Sequence, residues 1–127
     1  MSDWISGQLA LLRALYPELE YLEQEHWVRL ARYEIPPGWS APAVELAFRI
    51  PESEAIPPYG FWVRPHLLLA GGQMPTNYTH PVTTGFGDGW GQFSWSPVDW
   101  RPTANGAGAD TVVHFLRSFR DRLEELS

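Results

Sequence analysis

Apolar residues recur at helical spacing at both ends of the chain. Near the N-terminus, Trp4 to Tyr16 carries Ile5, Leu9 and Leu12 on one face, and Pro17 stands where a helix should stop. Near the C-terminus, Asp110 and Thr111 are capping residues in front of one apolar stripe: Val112, Val113, Leu116, Phe119, Leu123 and Leu126. The sequence therefore predicts an amphipathic helix at each end.

Three stretches between these helices have the pattern of β-strands. Residues 27–33 are aromatic and branched, with Trp27 and Tyr33 on the same face by simple alternation, and a Pro-Pro-Gly turn follows them. Residues 43–50 alternate more regularly, and residues 59–63 lie between prolines. Because short connections join these stretches, we expect an antiparallel β-meander.

Regular alternation disappears from Ala70 to Asn105, where Gly, Pro, Thr, Asn and aromatic residues dominate. A stretch of this length predicts a long irregular loop with a functional role, and its large aromatic side chains argue against disorder. We therefore expect one α+β domain over residues 1–127, with an N-terminal helix, an antiparallel β-meander, a long irregular active-site loop and a C-terminal helix.

Charge and hydropathy exclude several classes of partner. The net charge is −6 with a pI near 5.1, and no basic stripe is present, so nucleic acid is not expected as a partner. No apolar run is long enough to span a bilayer, and the N-terminus lacks the features of a secretory signal. We expect a cytoplasmic protein without a membrane partner.

Cysteine and lysine are both absent, and all nine basic residues other than histidine are arginine. The lack of cysteine excludes disulfides and thiolate chemistry. His26, His66 and His114 lie far apart in the sequence, and the glycine-rich run 85–91 lacks the ending of a phosphate loop, so no metal or cofactor is expected. The missing lysines reflect either codon bias or a need to present no amine to activated acyl groups.

Four short motifs follow one another along the chain. Phe48-Arg49-Ile50-Pro51 leads into the proline-rich Ile56-Pro57-Pro58-Tyr59-Gly60-Phe61; His80-Pro81-Val82, Gly91-Gln92-Phe93-Ser94 and Trp100-Arg101-Pro102 come after. Over nearly the whole chain this order resembles the prokaryotic E2-like proteins of the ubiquitin-conjugating (UBC) superfamily, often called prokaryotic E2 family E. The resemblance implies a UBC-like fold, with Val82 at the asparagine of a His-Pro-Asn motif and Ser94 at the catalytic cysteine.

The same resemblance suggests a catalytic set around Ser94. Asn77 is close enough in the sequence to substitute for the missing asparagine, and His80 and Asp88 are the nearest candidates to assist the hydroxyl. For His80, ordering of the loop is the alternative to a role as general base. The backbone N–H groups of residues 89–93 are the candidate donors to an oxyanion. Four further residues are expected to bind the ubiquitin-like modifier that such proteins carry or to orient an attacking amine: Tyr78, Trp90, Trp95 and Asp99. Trp90 and Trp95 are expected to be exposed.

The resemblance also implies partners: a ubiquitin-like protein, an E1-like activating enzyme and a JAB-type metal-dependent deconjugating peptidase encoded nearby, in operons considered antiviral. Three explanations of Ser94 stay open: a non-catalytic residue, an oxyester acceptor, or a laboratory replacement of cysteine. The resemblance therefore implies an E2-like carrier or positioner of the modifier C-terminus, and a catalytically inactive binding module is the alternative. A carbohydrate-binding aromatic surface is the third hypothesis.

Overall fold

The computed structural model describes residues 3–53, 55–96 and 111–126. Two helices, six strands and one short 3₁₀ turn (Gln24–His26) make up this part: α1 (Asp3–Leu15), β1 (Glu20–Leu22), β2 (Trp27–Glu34), β3 (Ala43–Arg49), β4 (Phe61–Arg64), β5 (Tyr78–Thr84), β6 (Gly87–Phe93) and α2 (Val112–Leu126). The strands form one antiparallel sheet in the order β1-β2-β3-β4-β6-β5. Neither described helix is long and apolar enough to cross a membrane.

The predicted α+β class, both terminal helices and the meander of strands are confirmed. Thr111 caps α2 as expected, because its Oγ1 accepts the His114 N–H at 3.3 Å. Asp110, the other predicted cap, lies outside the described residues. The start of α2 is also tied to α1, since the Val112 N–H donates to Gln8 Oε1 at 2.8 Å in a buried position.

The prediction of a long irregular loop is wrong for residues 78–93, which form the β5–β6 hairpin at one edge of the sheet. The glycines of β6 hide the alternation of apolar and polar residues in the sequence, but the structure requires glycine at these positions. Gly87 and Gly89 adopt positive φ angles of 110° and 82°. A Cβ on Gly91 would collide with the Tyr78 hydroxyl. The glycines therefore serve strand geometry and close packing.

A β-bulge in β2 overturns a second expectation, that Trp27 and Tyr33 share a face. The register between β2 and β3 shifts between Leu30 and Tyr33. Tyr33 consequently packs in the core beneath the helices, whereas Trp27 lies on the opposite face of the sheet.

The helix-covered face of the sheet buries a large aromatic core. Phe61 of β4 stacks between two residues of α2, at ring-centroid distances of 4.3 Å from Phe115 and 4.2 Å from Phe119. Trp39 reaches the same helix, donating from Nε1 to the Leu123 carbonyl at 2.9 Å. These contacts fix α2 against the middle of the sheet.

The opposite face carries a smaller cluster, called here the outer cluster, made of Trp27, Ala47, Trp62 and Trp90. The tip of the β5–β6 hairpin folds over it: Phe86 packs against the cluster, and a Cβ on Gly85 would lie only 2.7 Å from Trp27 Cδ1. The hairpin therefore crosses from the edge of the sheet to β2 and closes this face.

Charged residues complete the outer face beside the cluster. Four side chains alternate in sign across β1 to β4, joined by Arg29–Glu20 (2.7 Å), Arg29–Glu45 (3.2 Å) and Arg64–Glu45 (2.7 Å). The Arg64 guanidinium also lies over the Trp90 ring, 4.5 Å from its centroid. The outer cluster is thus bounded by a cross-strand ionic network.

Candidate functional site

Ser94 directly follows β6 and is exposed. Its backbone is held on one side by the turn before β5, because its N–H donates to the Asn77 carbonyl at 2.8 Å. Asn77 adopts a left-handed φ of 54° that makes this turn. On the other side the Gly60 N–H donates to the Trp95 carbonyl at 2.7 Å. Ser94 is therefore an exposed residue on a fixed backbone.

The side chains flanking Ser94 show where its own side chain lies. Phe93 and Trp95 are both buried in the helix-covered core, so alternation directs Ser94 to the opposite side, with Gln92. Gln92 lines an open depression of about 450 Å³. Tyr59, 56% exposed, and Ile56, 49% exposed, supply apolar surface to the same depression. The lining of this depression therefore comes within two residues of Ser94.

The two predicted helpers are not beside Ser94. His80 lies three positions along β5 from Asn77, which places it about 10 Å from Ser94 at the rise of a β-strand. Asp88 lies six positions back along β6, about 20 Å away on the same measure, and accepts a 2.6 Å hydrogen bond from Thr83 Oγ1. Neither predicted helper is therefore in position to take the Ser94 proton.

The predicted oxyanion donors are also engaged elsewhere. β6 is an inner strand: Gly91, Gln92 and Phe93 pair with β4, and Gln92 and Phe93 also pair with β5. Pairing on both sides of the strand engages N–H groups of this kind, which opposes a role in stabilising an oxyanion; that role of residues 89–93 stays a prediction. Asn77 contacts Ser94 through its backbone carbonyl, which accepts the Ser94 N–H; the role of its side-chain amide stays a prediction.

Tyr78, the first residue of β5, is held in place by packing and hydrogen bonds. Its ring packs on Phe93 at 4.6 Å, and its hydroxyl accepts the Leu67 N–H at 3.0 Å and lies 2.8 Å from His66 Nδ1. Burial raises the pKa of Tyr78, and the hydrogen bond from Leu67 partly offsets this. Because the hydroxyl already accepts from Leu67, we assign its own proton to His66 Nδ1, which makes His66 a neutral acceptor.

A histidine pair is the feature that sequence reasoning missed. The rings of His66 and His80 stack at 3.8 Å between centroids, with 19° between their planes. Burial first, and His80 second, lower the pKa of His66. The two residues come from different segments, so their spacing in the sequence gives no sign of the pair. In residues 3–53, 55–96 and 111–126, no group of three or more histidine, cysteine or acidic side chains is placed to hold a metal.

The expectation that Trp90 and Trp95 are exposed is wrong. Trp90 is 0% exposed in the outer cluster, and Trp95 is 4% exposed against Phe93 and Phe119. Trp90 of β6 lies under the hairpin tip, and Trp95, which follows β6, packs in the helix-covered core, so both are buried. Asp99, predicted to orient an amine, lies outside the described residues.

No family profile, curated protein or solved structure matches this chain. The molecule is established as an α+β protein whose six-stranded antiparallel sheet is covered by helices on one face and by its own hairpin on the other. Its function has to be argued from the residues around Ser94 and from the surface.

Proposed function

We propose that this protein is an E2-like component of a bacterial ubiquitin-like conjugation pathway, which binds a ubiquitin-like protein and an E1-like enzyme and positions the modifier C-terminus beside Ser94. In this proposal Ser94 is not acylated. The observation that carries it is an exposed Ser94 with a fixed backbone beside an open, partly apolar depression, and with both candidate bases far along the hairpin.

Two features support the E2-like part of the proposal. The resemblance places the proline-rich turn after the third strand, and residues 51–58 follow β3. An antiparallel meander lies between an N-terminal and a C-terminal helix, as the resemblance implies. The β5–β6 hairpin stands where the resemblance implies an irregular flap, which makes it the main departure from the expected arrangement.

Physical chemistry favours positioning over acyl transfer. A serine hydroxyl is a weak nucleophile unless a base takes its proton within hydrogen-bonding distance. Neither His80 nor Asp88 is within that distance, and the N–H groups proposed to stabilise an oxyanion belong to the sheet. An extended peptide gains instead from apolar contact with Ile56 and Tyr59 and from the Gln92 amide.

The sugar-binding alternative loses its basis. Stacking of a sugar needs exposed aromatic faces, but five of the tryptophans are at most 8% exposed: Trp27, Trp39, Trp62, Trp90 and Trp95. Of the described aromatic residues, Tyr59 is the large exposed one. One exposed ring is better suited to contact with a protein chain than to a stacking platform.

The test is to mix the protein with a ubiquitin-like protein and an E1-like enzyme encoded beside it and ATP, then to measure intact mass and co-elution. We expect a stable complex and no adduct on this chain, with the same binding by Ser94→Ala. Tyr59→Ser should weaken modifier binding about fivefold or more, whereas the exposed control Met74→Ser should not.

Either of two results would contradict the proposal. A base-labile adduct of one modifier mass that is absent from Ser94→Ala would establish an acyl carrier. Failure to bind either partner would remove the E2-like assignment altogether.

A further inference from the structure

Three ring side chains join the start of β5 to the segment that follows β4. We call them the histidine cluster: His66, Tyr78 and His80. The His66 ring stacks on His80 at 3.8 Å between centroids and on Tyr78 at 5.5 Å. The Tyr78 hydroxyl lies 2.8 Å from His66 Nδ1 and accepts the Leu67 N–H at 3.0 Å. The cluster is therefore a point of attachment between two separate segments of the chain.

This attachment depends on the protonation state of His66. The Tyr78 hydroxyl has one proton, and because its oxygen accepts from Leu67, that proton is available to His66 Nδ1. A histidinium ring carries a proton on both nitrogens and cannot accept another. Protonation of His66 therefore removes the hydrogen bond from Tyr78. A second charge on His80, whose ring is stacked at 3.8 Å, adds repulsion between the two rings.

Two titratable groups of β5 face His66, namely the Tyr78 hydroxyl and the His80 ring. Charged groups of the neighbouring strands are engaged elsewhere: Arg64 of β4 is held by a carboxylate of β3 at 2.7 Å, and the Asp88 carboxylate of β6 accepts from a threonine hydroxyl. Burial and the charge of His80 lower the pKa of His66. Both causes act while the cluster is assembled, so protons favour its disruption.

β5 is the side of this attachment that can move. Leu67 is fully buried, and the residues after it are fastened to residues 38–40 by three hydrogen bonds of 2.8 to 3.0 Å. β5, by contrast, is an edge strand of the described sheet, and its register with β6 is irregular between Thr79 and Val82. The first residues of β5 are therefore the ones that separate when the cluster is disrupted.

The start of β5 also holds the backbone at Ser94. Asn77, one residue before β5, accepts the Ser94 N–H at 2.8 Å. The first two residues of β5, beginning with Tyr78, pair with Phe93 and Gln92 of β6. Separation of these residues frees the Ser94 N–H and exposes the edge of β6 next to it. A strand edge exposed in this way accepts an extended chain by strand addition.

We propose that the histidine cluster is a proton-operated switch: while His66 is neutral, the first residues of β5 cover the edge of β6 at Ser94, and protonation of His66 releases them. The closed arrangement predominates above about pH 6.5, the ordinary pKa of histidine. Because the pKa of His66 is lower in the closed arrangement than in the open one, opening takes up a proton. The switch rests on contacts of β5 alone and stands independently of the function proposed for Ser94.

The test is backbone hydrogen exchange of the full ¹⁵N-labelled chain, measured by NMR from pH 7.5 to 5, with each rate divided by the intrinsic rate at that pH. Protection of the Leu67 and Ser94 amides should fall by up to about tenfold for each pH unit below 6.5 and level off below the closed-state pKa of His66. Protection of the Phe119 amide in the main core should change much less.

Substitutions then assign the effect to the cluster. His66→Gln keeps an acceptor for the Tyr78 hydroxyl but does not titrate, so protection at Ser94 should become nearly independent of pH. His80→Phe keeps a ring for stacking and removes the second charge, so the loss of protection should be smaller. His26→Gln is the matched control, because His26 Nδ1 also lies 2.8 Å from a tyrosine hydroxyl, and it should leave the Ser94 amide unchanged.

Three outcomes would overturn the inference. The first is protection at Leu67 and Ser94 in the unmodified protein that stays constant from pH 7.5 to 5. The second is an equal loss of protection at Phe119, which would mean that acid unfolds the whole domain instead of opening β5. The third is the same pH dependence at Ser94 in His66→Gln and in the control His26→Gln.

Discussion

The two faces of the sheet are covered in different ways. On one face, two helices bury a continuous core in which Phe61 stacks on Phe119 and Phe93 meets Phe119 edge to face, and the buried Trp39 indole N–H has a partner. On the other, a hairpin tip covers four residues, and the fully buried Trp90 Nε1 has no hydrogen-bond partner within the described residues. The helices cover the first face through many side-chain contacts, whereas the cover of the second face depends on a few close contacts at the hairpin tip.

This difference teaches where the fold tolerates change. A large core shares the loss of one side chain among many neighbours but still loses a large contact area. The outer cluster has less area to lose, but its contacts at Gly85 and Trp27 leave no room for added atoms. Deletion should therefore be worse on the helix-covered face, and insertion should be costly on the hairpin-covered face.

The largest effect is expected from deletion in the main core. Phe119→Ala should lower the free energy of unfolding by about 4 kcal/mol, because Phe119 is 0% exposed and contacts several rings. Phe86→Ala, which removes a half-buried ring from the outer face, should cost about 1–2 kcal/mol. Urea unfolding of both variants measures the difference. Equal losses would remove the distinction between the faces.

Adding atoms is expected to be most costly on the hairpin-covered face. Gly85→Ala should destabilise by about 1–3 kcal/mol, because the new methyl group would lie 2.7 Å from the Trp27 ring. The control is Gly7→Ala in α1, where no atom lies within 4 Å of the added Cβ. Better helix propensity should stabilise that variant by about 0.5–1 kcal/mol. Thermal unfolding distinguishes the opposite signs, and a neutral Gly85→Ala would mean that the hairpin tip yields easily.

Two tryptophan substitutions compare the contribution of the indole N–H group on the two faces of the sheet. Trp39→Phe removes a bond to the Leu123 carbonyl and should cost about 1 kcal/mol more than Trp90→Phe, which removes an N–H without a partner among the described residues. Chemical denaturation of the two variants measures this difference. If Trp90→Phe were the more damaging change, Trp90 Nε1 would have a polar partner in solution.

The smallest effect on stability is expected from protonation of the stacked pair His66 and His80. The pKa of His66 is lowered in the folded protein, so the unfolded chain binds more protons just below the ordinary value of 6.5. Stability should therefore fall as pH drops below about 6.5 and level off below the folded pKa. His66→Gln should reduce this dependence in urea midpoints measured from pH 8 to 5. Stability that increases on acidification of the unmodified protein would contradict the assignment.

Periodicity predicted those elements whose residues pack on one side. Both helices and the three strands of the early meander appear within two residues of their expected ends, because their burial follows a simple period. The hairpin could not be predicted in this way. Its β6 strand uses Gly87, Gly89 and Gly91 for backbone and close-packing reasons, and these residues carry no hydropathy signal. The bulge in β2 likewise moves Tyr33 to the helix-covered face of the sheet, and no residue type in the sequence indicates the bulge.

The candidate site was predictable only in part. The motif order put Ser94 at the position of a catalytic cysteine in an irregular loop, whereas the structure shows it as an exposed residue directly after strand β6. The proposed helpers were chosen by closeness in the sequence, but extended strands carry His80 and Asp88 away at about 3.3 Å per residue. The residues of the His66–His80 stack come from segments far apart in the chain, so only tertiary structure brings them together.

The packing of Trp27 against Trp62 makes the hairpin-covered face optically distinct. Their ring centroids are 4.8 Å apart with planes at 72°, a separation and angle at which the excited states of two indoles couple and give a paired circular dichroism signal. Arg64 places a cation over Trp90, which shifts the emission energy of that indole through its electric field. Because Trp90 belongs to the hairpin and Arg64 to β4, opening of the hairpin separates this pair and should change the Trp90 emission without an added label.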